Sequence, residues 1–385
     1  MNLKKPKFWD YKKPNIFAYF LLPVSYLVEF LKLFKKKSNF KLSKIKSICV
    51  GNIYLGGTGK TSLSIKINEI LNKKKIKSCF VKKFYSNQID EQRLLENRGK
   101  LFTSSKRVDA LNLAESEGYE VAILDDGLQD NSINYDLSFI CFNNLNWIGN
   151  GLTIPAGPLR ENINNLKKYH HIFLNGNLEN LDSIKKQVLD INPNINLHIG
   201  KYVPLDIQKF NKNDNYIVFS GIGNHETFVS MLKENELNIV KDIEFSDHYK
   251  YTNYDIDKIL KLSSEMKCNI ITTEKDYLRL DKANSNKIDF IKSELKIIDE
   301  DKLISTILST NETRDAKISM LLNVEGIGKE NAKTFVDNIP HLLRFLQECN
   351  LQHRLNVSTE EVKKDKTHLL YGKKIVLTGF RDASF

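Results

Sequence analysis

Short apolar runs alternate with longer amphipathic segments from residue 47 to residue 309. Short runs bounded by turn residues are typical of buried strands, and longer segments with a helical period are typical of helices. We therefore predict an α/β fold. The predicted strands are residues 47–52, 119–124, 137–142, 171–174, 195–199, 216–219 and 269–273, and the predicted helices are residues 62–71, 226–233 and 301–309.

The apolar stretch at residues 16–33 lies outside this alternation. Pro23 lies in its middle and Glu29 and Lys32 lie near its end, so only residues 16–28 are free of charge. A membrane-spanning helix needs ~20 apolar residues, and we therefore predict an anchor that lies in the membrane interface. A signal peptide is disfavoured because no small-x-small cleavage site follows. A helix packed on the domain's own core is the open alternative.

The positive charge of the chain is concentrated around that stretch. Residues 1–48 contain twelve lysines and two acidic residues, so they carry +10 of the total formal charge of +11. A basic cluster around an apolar stretch indicates binding to anionic lipid head groups, at about 1 kcal/mol for each basic residue near the surface. Nucleic acid is the less favoured partner, because a DNA-binding arm has no use for the closely spaced Phe17, Phe20 and Leu21.

Length and composition indicate a globular protein of several domains. A chain of 385 residues suggests two or three domains, and 41% hydrophobic with 27% charged residues excludes a disordered protein. The five cysteines are odd in number and show no ligand spacing, which indicates reduced thiols and no zinc site. The expected organisation is a basic, apolar membrane anchor at residues 1–46, a core at 47–210, a second, smaller α/β lobe at 211–309 and a short helical tail at 310–385.

A glycine-rich loop connects the first predicted strand of the core to the helix that follows it. In this order, backbone N–H groups and a helix N-terminus surround phosphate groups. Lys60 is then expected to reach the β- and γ-phosphates of a nucleotide, and the hydroxyl of Thr61 to hold Mg²⁺. A strict P-loop has glycine where this chain has Tyr54, and we expect nearby glycines to take over its role. The candidate nucleotide-binding residues are Gly56, Gly57, Thr58, Gly59, Lys60 and Thr61.

Two acidic residues, Asp125 and Asp126, follow the strand at residues 119–124. Acids at the carboxyl end of a strand are typical of a Walker B motif, in which a carboxylate faces Mg²⁺ across the phosphate-binding loop. We expect one of the two to hold the metal through water and the other to contact the metal or the phosphate acceptor. A pair of solvated turn aspartates is the alternative interpretation.

Two weaker signals lie in the predicted second lobe. A Gly-x-Gly turn at residues 221–223 follows a strand and precedes a helix, which indicates the first turn of a second α/β unit. The strand at residues 269–273 ends in Glu274, Lys275 and Asp276, at the edge of the sheet where α/β sites form. An ordinary solvated strand end is equally compatible with that cluster.

Five sequence blocks together carry a resemblance to a known family. They are GNxxxGGTGKT (51–61), DDGLQD (125–130), GNGLTIPAGPLRE (149–161), FSDHYKY (245–251) and ITTEKDYLRL (271–280). In this order, over residues 8–309, the chain resembles the tetraacyldisaccharide 4′-kinases of lipid A biosynthesis. The PAGPLRE block is far more specific than the glycine loop alone.

The resemblance implies both a fold and an activity. The fold is a P-loop NTPase-like core with ATP and Mg²⁺ as cofactors. The activity is that of a membrane-bound kinase, which transfers the γ-phosphate of ATP to the 4′-hydroxyl of a lipid A disaccharide 1-phosphate at the cytoplasmic face of the inner membrane. We expect a monomer.

The resemblance also assigns metal and catalytic roles. It makes Thr61, Asp125 and Asp126 the metal-site residues. An Asp-Glu pair carries the family's catalytic aspartate; here that aspartate is Asp90, and Glu91 is a further acid near the metal. The family's Asp-His element matches residues 247–248. This match implies that His248 works with Asp90, so that the carboxylate takes the proton of the sugar hydroxyl.

The chain departs from the family pattern at two places. Residues 82–86, Lys-Lys-Phe-Tyr-Ser, stand where the family usually has Ser-Arg-Gly-Tyr-Gly. The missing glycines change the backbone conformations open to that loop. Asp130 stands where a histidine commonly follows the acidic motif.

The last 76 residues resemble something else. Residues 324–335 resemble a helix-hairpin-helix turn and residues 372–381 resemble the first strand of a BRCT domain, an order found near the end of NAD-dependent DNA ligases. Hairpin N–H groups can hold a DNA phosphate, but the net charge of the tail is only +2. We therefore expect a fragment without independent function.

The expected function is that of a lipid kinase. A P-loop switch or a DNA-associated binding protein is the alternative. Membrane pelleting with detergent release would distinguish the kinase from a protein whose retention on DNA falls steeply with salt.

Overall fold

The chain divides into two units, residues 1–311 and residues 312–385. In the first unit the computed structural model describes residues 5–33, 45–84, 89–130, 132–247, 249–281 and 286–311; in the second it describes residues 318, 321–322 and 326–348. The boundary between the units lies close to the start of the predicted tail at residue 310.

An eight-stranded sheet forms the larger part of the first unit, in the order β12-β7-β6-β5-β1-β4-β2-β3. All neighbours are parallel except β12 and β7, which are antiparallel. Its strands are β1 (Lys46–Gly51), β2 (Ser78–Lys83), β3 (Leu101–Ser104), β4 (Val121–Asp125), β5 (Leu137–Asn143), β6 (His171–Asn175), β7 (Asn196–Pro204) and β12 (Ser293–Ile297). The predicted α/β class is confirmed.

Helices cover the sheet on both faces, which explains why its central strands read as continuous apolar runs. On β2, Phe80 packs with one apolar cluster, while Cys79 and Val81 pack with another on the opposite face. The helices of the unit are α1 (Ile16–Leu33), α2 (Lys60–Lys73), α3 (Ile89–Glu96), α4 (Arg107–Ser116), α5 (Leu181–Ile191), α6 (His225–Glu234), α7 (Asn253–Met266), α8 (Glu274–Tyr277) and α9 (Glu300–Asn311).

The buried side chains of α2 show why this segment forms a helix that packs on the sheet. Leu63, Ile67, Ile70 and Leu71 are buried, and their spacing of four, three and one residues is that of the core-facing side of a helix. They pack against β1, β2 and β4 in the larger core cluster. Because β1 lies between β4 and β5, the loop that leads into α2 opens at the centre of the sheet, beside the end of β4.

A second sheet follows, with the order β11-β10-β8-β9 and parallel neighbours throughout. Its strands are β8 (Asn215–Ser220), β9 (Asn238–Glu244), β10 (Asn269–Thr273) and β11 (Asp289–Ile291). The predicted second α/β lobe is therefore present, but it does not extend to residue 309. After β11 the chain returns to the first sheet, where β12 pairs with β7 and α9 packs in the first core.

The helix α1 packs on the first unit through one side. Ala18 and Ser25, seven residues apart on α1, are buried, whereas Phe20 is 83% exposed and Leu27 is 56% exposed. One side of α1 thus packs on the domain, as in the alternative interpretation, and the other side is an exposed apolar surface; the membrane anchor stays a prediction. Within the described parts of the chain, no helix has the length and hydropathy to cross a membrane.

The second unit contains the helix α10 (Lys329–Glu348). Ala332 and Val336 on this helix pack with Ile318 in a small apolar cluster. Gly326 precedes the helix with a φ of +91°, a conformation that favours glycine in a turn. The predicted hairpin lies partly within these residues, while the BRCT-like segment at 372–381 lies outside the described residues.

Candidate active site at the phosphate-binding loop

The loop between β1 and α2 is held in shape by two asparagine side chains. Asn52 Nδ2 donates to Thr58 Oγ1 at 2.9 Å and to the Gly56 carbonyl at 3.3 Å. Asn175, at the end of β6, donates from Nδ2 to the Thr58 carbonyl at 2.8 Å. These hydrogen bonds fix the shape of the loop, and α2 begins directly behind it.

Gly59 precedes the first turn of α2 with a φ of +77°. A Cβ atom there would lie 2.6 Å from Asn175 Nδ2, so both conformation and space require glycine. The first N–H groups of a helix have no partner within it, and they bind anions well. This geometry is that of a phosphate cradle at the N-terminus of α2.

The loop also touches the second lobe. Gly57 N donates to the Gly223 carbonyl at 3.3 Å, and a Cβ on Gly57 would lie 2.6 Å from the Gly223 carbonyl carbon. The turn that carries Gly223 is held by Asp276, which accepts from Gly221 N at 3.1 Å and from Arg279 at 3.0 Å. The polar cluster after β10 thus includes a buried aspartate that shapes this turn.

Asp125 and Asp126 face different partners. Asp125 is fully buried and accepts from Thr61 Oγ1 at 3.3 Å and from Ser64 Oγ at 3.5 Å. Asp126 has a φ of +58°, and its Oδ1 lies 3.7 Å from Lys60 Nζ and 3.2 Å from an Arg160 nitrogen. The first acid therefore faces the start of α2, and the second lies among the cations of the loop.

Electrostatics keep Asp126 ionised. Burial by itself raises the pKa of this carboxyl, but the positive charges of Lys60 and Arg160 outweigh it and hold the pKa below its usual range. The carboxylate in turn orients Lys60 across the mouth of the loop. Such an arrangement positions an ammonium group for the outer phosphates of a nucleotide.

Glu91, on α3, lies near this centre but is paired with lysines. Lys82 Nζ lies 2.6 Å from Glu91 Oε2 and 2.6 Å from Asp125 Oδ2. Lys275 Nζ from the second lobe lies 3.7 Å from Glu91 Oε1. The structure thus places two ammonium groups beside Glu91, where the resemblance implies a metal ligand.

The donor set at the start of α2 fits Mg²⁺. Thr61 and Asp125 offer a hydroxyl and a carboxylate, the hard oxygen ligands that this ion prefers. Among the described residues, no three acidic, histidine or cysteine side chains gather into a metal-binding group. A Mg²⁺ ion held by one or two protein ligands and by nucleotide phosphates agrees with such a sparse set.

The predicted catalytic residues are Asp90 and His248. Asp90 lies on α3 directly before Glu91, and its side chain is outside the described part of the structure. His248 also lies outside the described residues. Its neighbour Asp247 has Oδ2 2.9 Å from the position that a Cβ on Gly223 would occupy, so the Asp-His element begins beside the turn that touches Gly57.

The PAGPLRE block joins the glycine loop to the N-terminal segment. Arg160 N donates to the Ile53 carbonyl at 2.6 Å and Leu55 N donates to the Pro158 carbonyl at 2.8 Å. On the other side, Ser25 Oγ on α1 donates to the Thr153 carbonyl at 2.9 Å and accepts from Ala156 N at 3.0 Å. The block is therefore a bridge between α1 and the phosphate site.

Tyr54 takes part in the same bridge. It is buried, its hydroxyl donates to Asp10 Oδ1 at 2.7 Å, and its backbone pairs with Leu159. A tyrosine in place of the expected loop glycine thus ties the loop to the N-terminal segment and to the PAGPLRE block.

The sequence analysis assigned no role at the site to four residues that the structure places there: Lys82, Asn175, Gly223 and Arg160. Arg160 carried a signal, since only nine of the 58 basic residues are arginines and this one lies in a specific motif. Lys82 lies in the segment that departs from the family pattern. Asn175 carried no signal, and the Gly-x-Gly turn that contains Gly223 indicated only a second α/β unit, because each residue acts through a contact with a loop more than a hundred residues away.

A mainly parallel sheet, a glycine loop that closes on a helix N-terminus and an acidic strand end facing that helix define a P-loop nucleotide-binding protein. The family model described as "LpxK: Tetraacyldisaccharide-1-P 4′-kinase" matches residues 17–312. The chain belongs to this family of kinases.

Individual relatives agree with the family match. The tetraacyldisaccharide 4′-kinase of Pelagibacter ubique (strain HTCC1062) is 61% identical over 312 residues, which cover 81% of this chain and 99% of that protein. The tetraacyldisaccharide 4′-kinase of Rickettsia canadensis is 34% identical and covers 74% of this chain and 91% of that protein.

A solved structure also resembles this chain. It is that of LpxK from Aquifex aeolicus in complex with ATP, which matches with a TM-score of 0.55 at 22% identity and covers 77% of this chain and 99% of that one. This likeness shows the shared fold.

Proposed function

We propose that this chain transfers the γ-phosphate of ATP, with Mg²⁺, to the 4′-hydroxyl of a tetraacyldisaccharide 1-phosphate, the lipid A precursor. We place the reaction at the cytoplasmic face of the inner membrane and expect the protein to act as a monomer. The names of the relatives support the acceptor. The charge and apolar surface of the N-terminal segment support the membrane location.

One observation carries the proposal. The PAGPLRE block binds α1 through Ser25 and, through Arg160, reaches Asp126 beside Lys60. A soluble nucleotide switch has no need for such a link between its phosphate site and an exposed apolar helix. An enzyme with a lipid acceptor needs it, because the sugar hydroxyl at the membrane surface must meet the γ-phosphate in line.

The residues of the site divide the work of the reaction. Lys60 and the N-terminus of α2 bind the phosphates, and Thr61 with Asp125 would hold Mg²⁺, which supplies charge neutralisation during transfer. Asp90, oriented by His248, takes the proton of the attacking hydroxyl as the new oxygen–phosphorus bond forms. These two catalytic roles rest on the family resemblance.

The N-terminal helix is proposed to bind the membrane surface in parallel orientation. Its exposed side chains are apolar, among them Phe17, Phe20 and Tyr26. In the sequence the helix lies within residues 1–48, which carry +10 of the net charge. Apolar insertion combined with attraction to anionic lipids is the usual basis of interfacial binding. The same aromatic surface argues against a DNA-binding arm.

The test is a transfer assay with the purified full-length chain. Radiolabelled γ-phosphate of ATP should appear on a tetraacyldisaccharide 1-phosphate presented in detergent micelles, and removal of Mg²⁺ should stop the transfer. Lys60→Met should abolish it, whereas Lys66→Met on the same helix should not, because Lys66 pairs with Glu69 and Glu300 away from the loop. Hydrolysis of ATP without label on the lipid in any micelle would refute the proposed acceptor.

A further inference from the structure

Lys82 is the most deeply buried charged side chain near the site that has no assigned role. It lies on β2, is 1% exposed, and its Nζ makes two contacts of 2.6 Å, one with Asp125 Oδ2 and one with Glu91 Oε2. Each carboxylate comes from a different element: Asp125 ends β4 and Glu91 lies on α3. The ammonium group therefore joins three segments of the site.

Burial of a lysine is costly unless the charge is well paired. Here burial lowers the pKa of Lys82, but Asp125 and Glu91 outweigh it and the net direction is upward. The side chain therefore stays protonated. Removal of its charge would take away the ammonium group that lies between Asp125 and the half-buried Glu91, whereas Lys275 on the other oxygen of Glu91 would stay.

A cation between two carboxylates at the end of a strand occupies the kind of place where phosphoryl-transfer enzymes hold a divalent ion. In this chain the ammonium group of Lys82 occupies that position. The residue is also one at which the chain departs from its family, which usually has serine at the start of this segment.

We propose that the Lys82 ammonium group is a built-in cation that keeps divalent ions out of the Asp125–Glu91 pair and holds Glu91, and with it α3, in position. Glu91 is then a lysine-bound positioning residue and not a metal ligand. Thr61 Oγ1 and Lys82 Nζ contact the same oxygen of Asp125, Oδ2, so Lys82 also limits the negative charge that Asp125 presents to a metal ion beside Thr61. The inference about positioning rests on the proposed function, because α3 also carries Asp90.

The consequence for metal binding can be measured without ATP or lipid. Electron paramagnetic resonance of free Mn²⁺ reports how much of the ion the full-length protein binds. The wild-type chain should bind Mn²⁺ weakly, because Lys82 offsets the charge of Asp125. Lys82→Met should gain about one Mn²⁺ site per chain, with a dissociation constant about tenfold lower or better, because loss of the ammonium group leaves more uncompensated negative charge on Asp125 and Glu91 to attract a hard cation.

Three variants make the assignment specific. Lys82→Arg keeps the charge and should bind Mn²⁺ as weakly as the wild type. The double variant Lys82→Met with Glu91→Gln should lose the gained site. Lys77 directly precedes β2, at the end opposite Lys82, and contacts the Glu117 carbonyl and the Tyr119 ring. Lys77→Met should therefore bind Mn²⁺ as the wild type does.

Two results would overturn the proposal. One is a folded Lys82→Met protein whose Mn²⁺ binding equals that of the wild type. The other is a Glu91→Gln protein that binds Mn²⁺ more weakly than the wild type, with or without ATP, because this result would make Glu91 a metal ligand. Glu91→Gln keeps the contact of Lys82 with Asp125, and it can be measured even if Lys82→Met does not fold. Because the binding measurement needs no lipid acceptor, its failure is distinguishable from failure of the proposed function.

Discussion

Asp125 and Asp126 are adjacent in the chain, but their carboxylates face different partners at the end of β4. Asp125 continues the strand and faces Thr61 and Lys82, whereas the positive φ of Asp126 turns its carboxylate toward Lys60 and Arg160. Asp125 is therefore suited to hold a metal ion, whereas the next residue, Asp126, orients the side chains of Lys60 and Arg160. We expect the two acids to respond differently to substitution.

The roles of Lys60 and Asp90 can be separated by kinetics. Lys60→Ala and Asp90→Ala should each reduce phosphoryl transfer by about 10²- to 10⁴-fold, the usual range for a positioned catalytic group. Only Lys60→Ala should also raise the KM for ATP strongly, because Lys60 faces the nucleotide and Asp90 is assigned to the acceptor. The measurement is the initial rate at varied ATP and varied lipid.

The Asp90 assignment has a clear failure. If Asp90→Ala keeps a rate within about threefold of the wild type, Asp90 is not the base, since such a group contributes at least about a hundredfold. Circular dichroism of each variant serves as the control for folding.

We expect two elements outside the phosphate-binding loop to respond to the surroundings of the protein. The exposed side of α1 is apolar and its buried side is anchored by Ser25 to the PAGPLRE block. The strands β6 and β7 place two histidines, His171 and His198, next to each other inside the first sheet. The first element is expected to respond to membranes, and the second to pH.

Membrane binding is expected to depend on the exposed side of α1. Phe20→Ser combined with Leu27→Ser should lower partitioning onto anionic vesicles by about tenfold or more, because burial of each such side chain contributes about 1.5 to 3 kcal/mol. The thermal midpoint should not change, since both side chains are exposed. Leu189→Ser, on α5, removes another partly exposed leucine and is the matched control. Equal pelleting of the double variant and the control would show that another surface binds the lipid.

The histidine pair should make the fold sensitive to acid. The pKa of both His171 and His198 is lowered to about 4, mainly by burial. Charge on His170 and on Lys302 contributes at His171, and charge on His171 and on Lys302 contributes at His198, where Asp299 opposes the lowering. The unfolded chain takes up protons near pH 6.5, so the neutral pair stabilises the fold fully above that pH. As the pH falls from about 6.5 to 5, about 2 kcal/mol per histidine is lost.

Urea unfolding at pH 7.5 and pH 5.0 checks this expectation. The wild type should lose more free energy of unfolding between the two pH values than His198→Asn, which cannot take up the proton. An identical pH dependence in both proteins would mean that other groups cause the acid sensitivity.

On the scale of the whole molecule, the two lobes share one site. Gly57 of the loop touches Gly223 of the second lobe, and Lys275 of that lobe reaches Glu91. The chain then closes the first sheet with β12 and α9. All the described site residues therefore lie within residues 1–311, the first unit.

Truncation after Asn311 is expected to keep the kinase activity, because the last helix of the first unit ends there. The ligase resemblance of the tail stays a prediction. The truncated and full-length chains should show equal rates on the lipid acceptor. Loss of activity in a truncated protein that stays folded by circular dichroism would show that the tail belongs to the enzyme.

Local patterns in the sequence determined the elements that bind phosphate. The strand before the glycine loop, α2, and the acids after β4 were all predictable, because each depends on residues that are neighbours in the chain. The strands β2, β3, β9, β11 and β12 were not predicted: β2 has three apolar residues followed by two lysines, three others are short, and β9 is largely exposed. Long apolar runs do not mark such strands, because each buries at most three apolar side chains.

Only the tertiary structure determined which residues contact each other at the site. No spacing in the sequence indicates that Lys82 enters the space between Asp125 and Glu91, that Asn175 supports Thr58, or that β12 returns to the first sheet. These contacts join residues far apart in the chain, and their energies depend on burial and on charges that come together only after folding. A lysine that looks like a solvated strand residue in the sequence thus becomes a buried cation at the centre of the site.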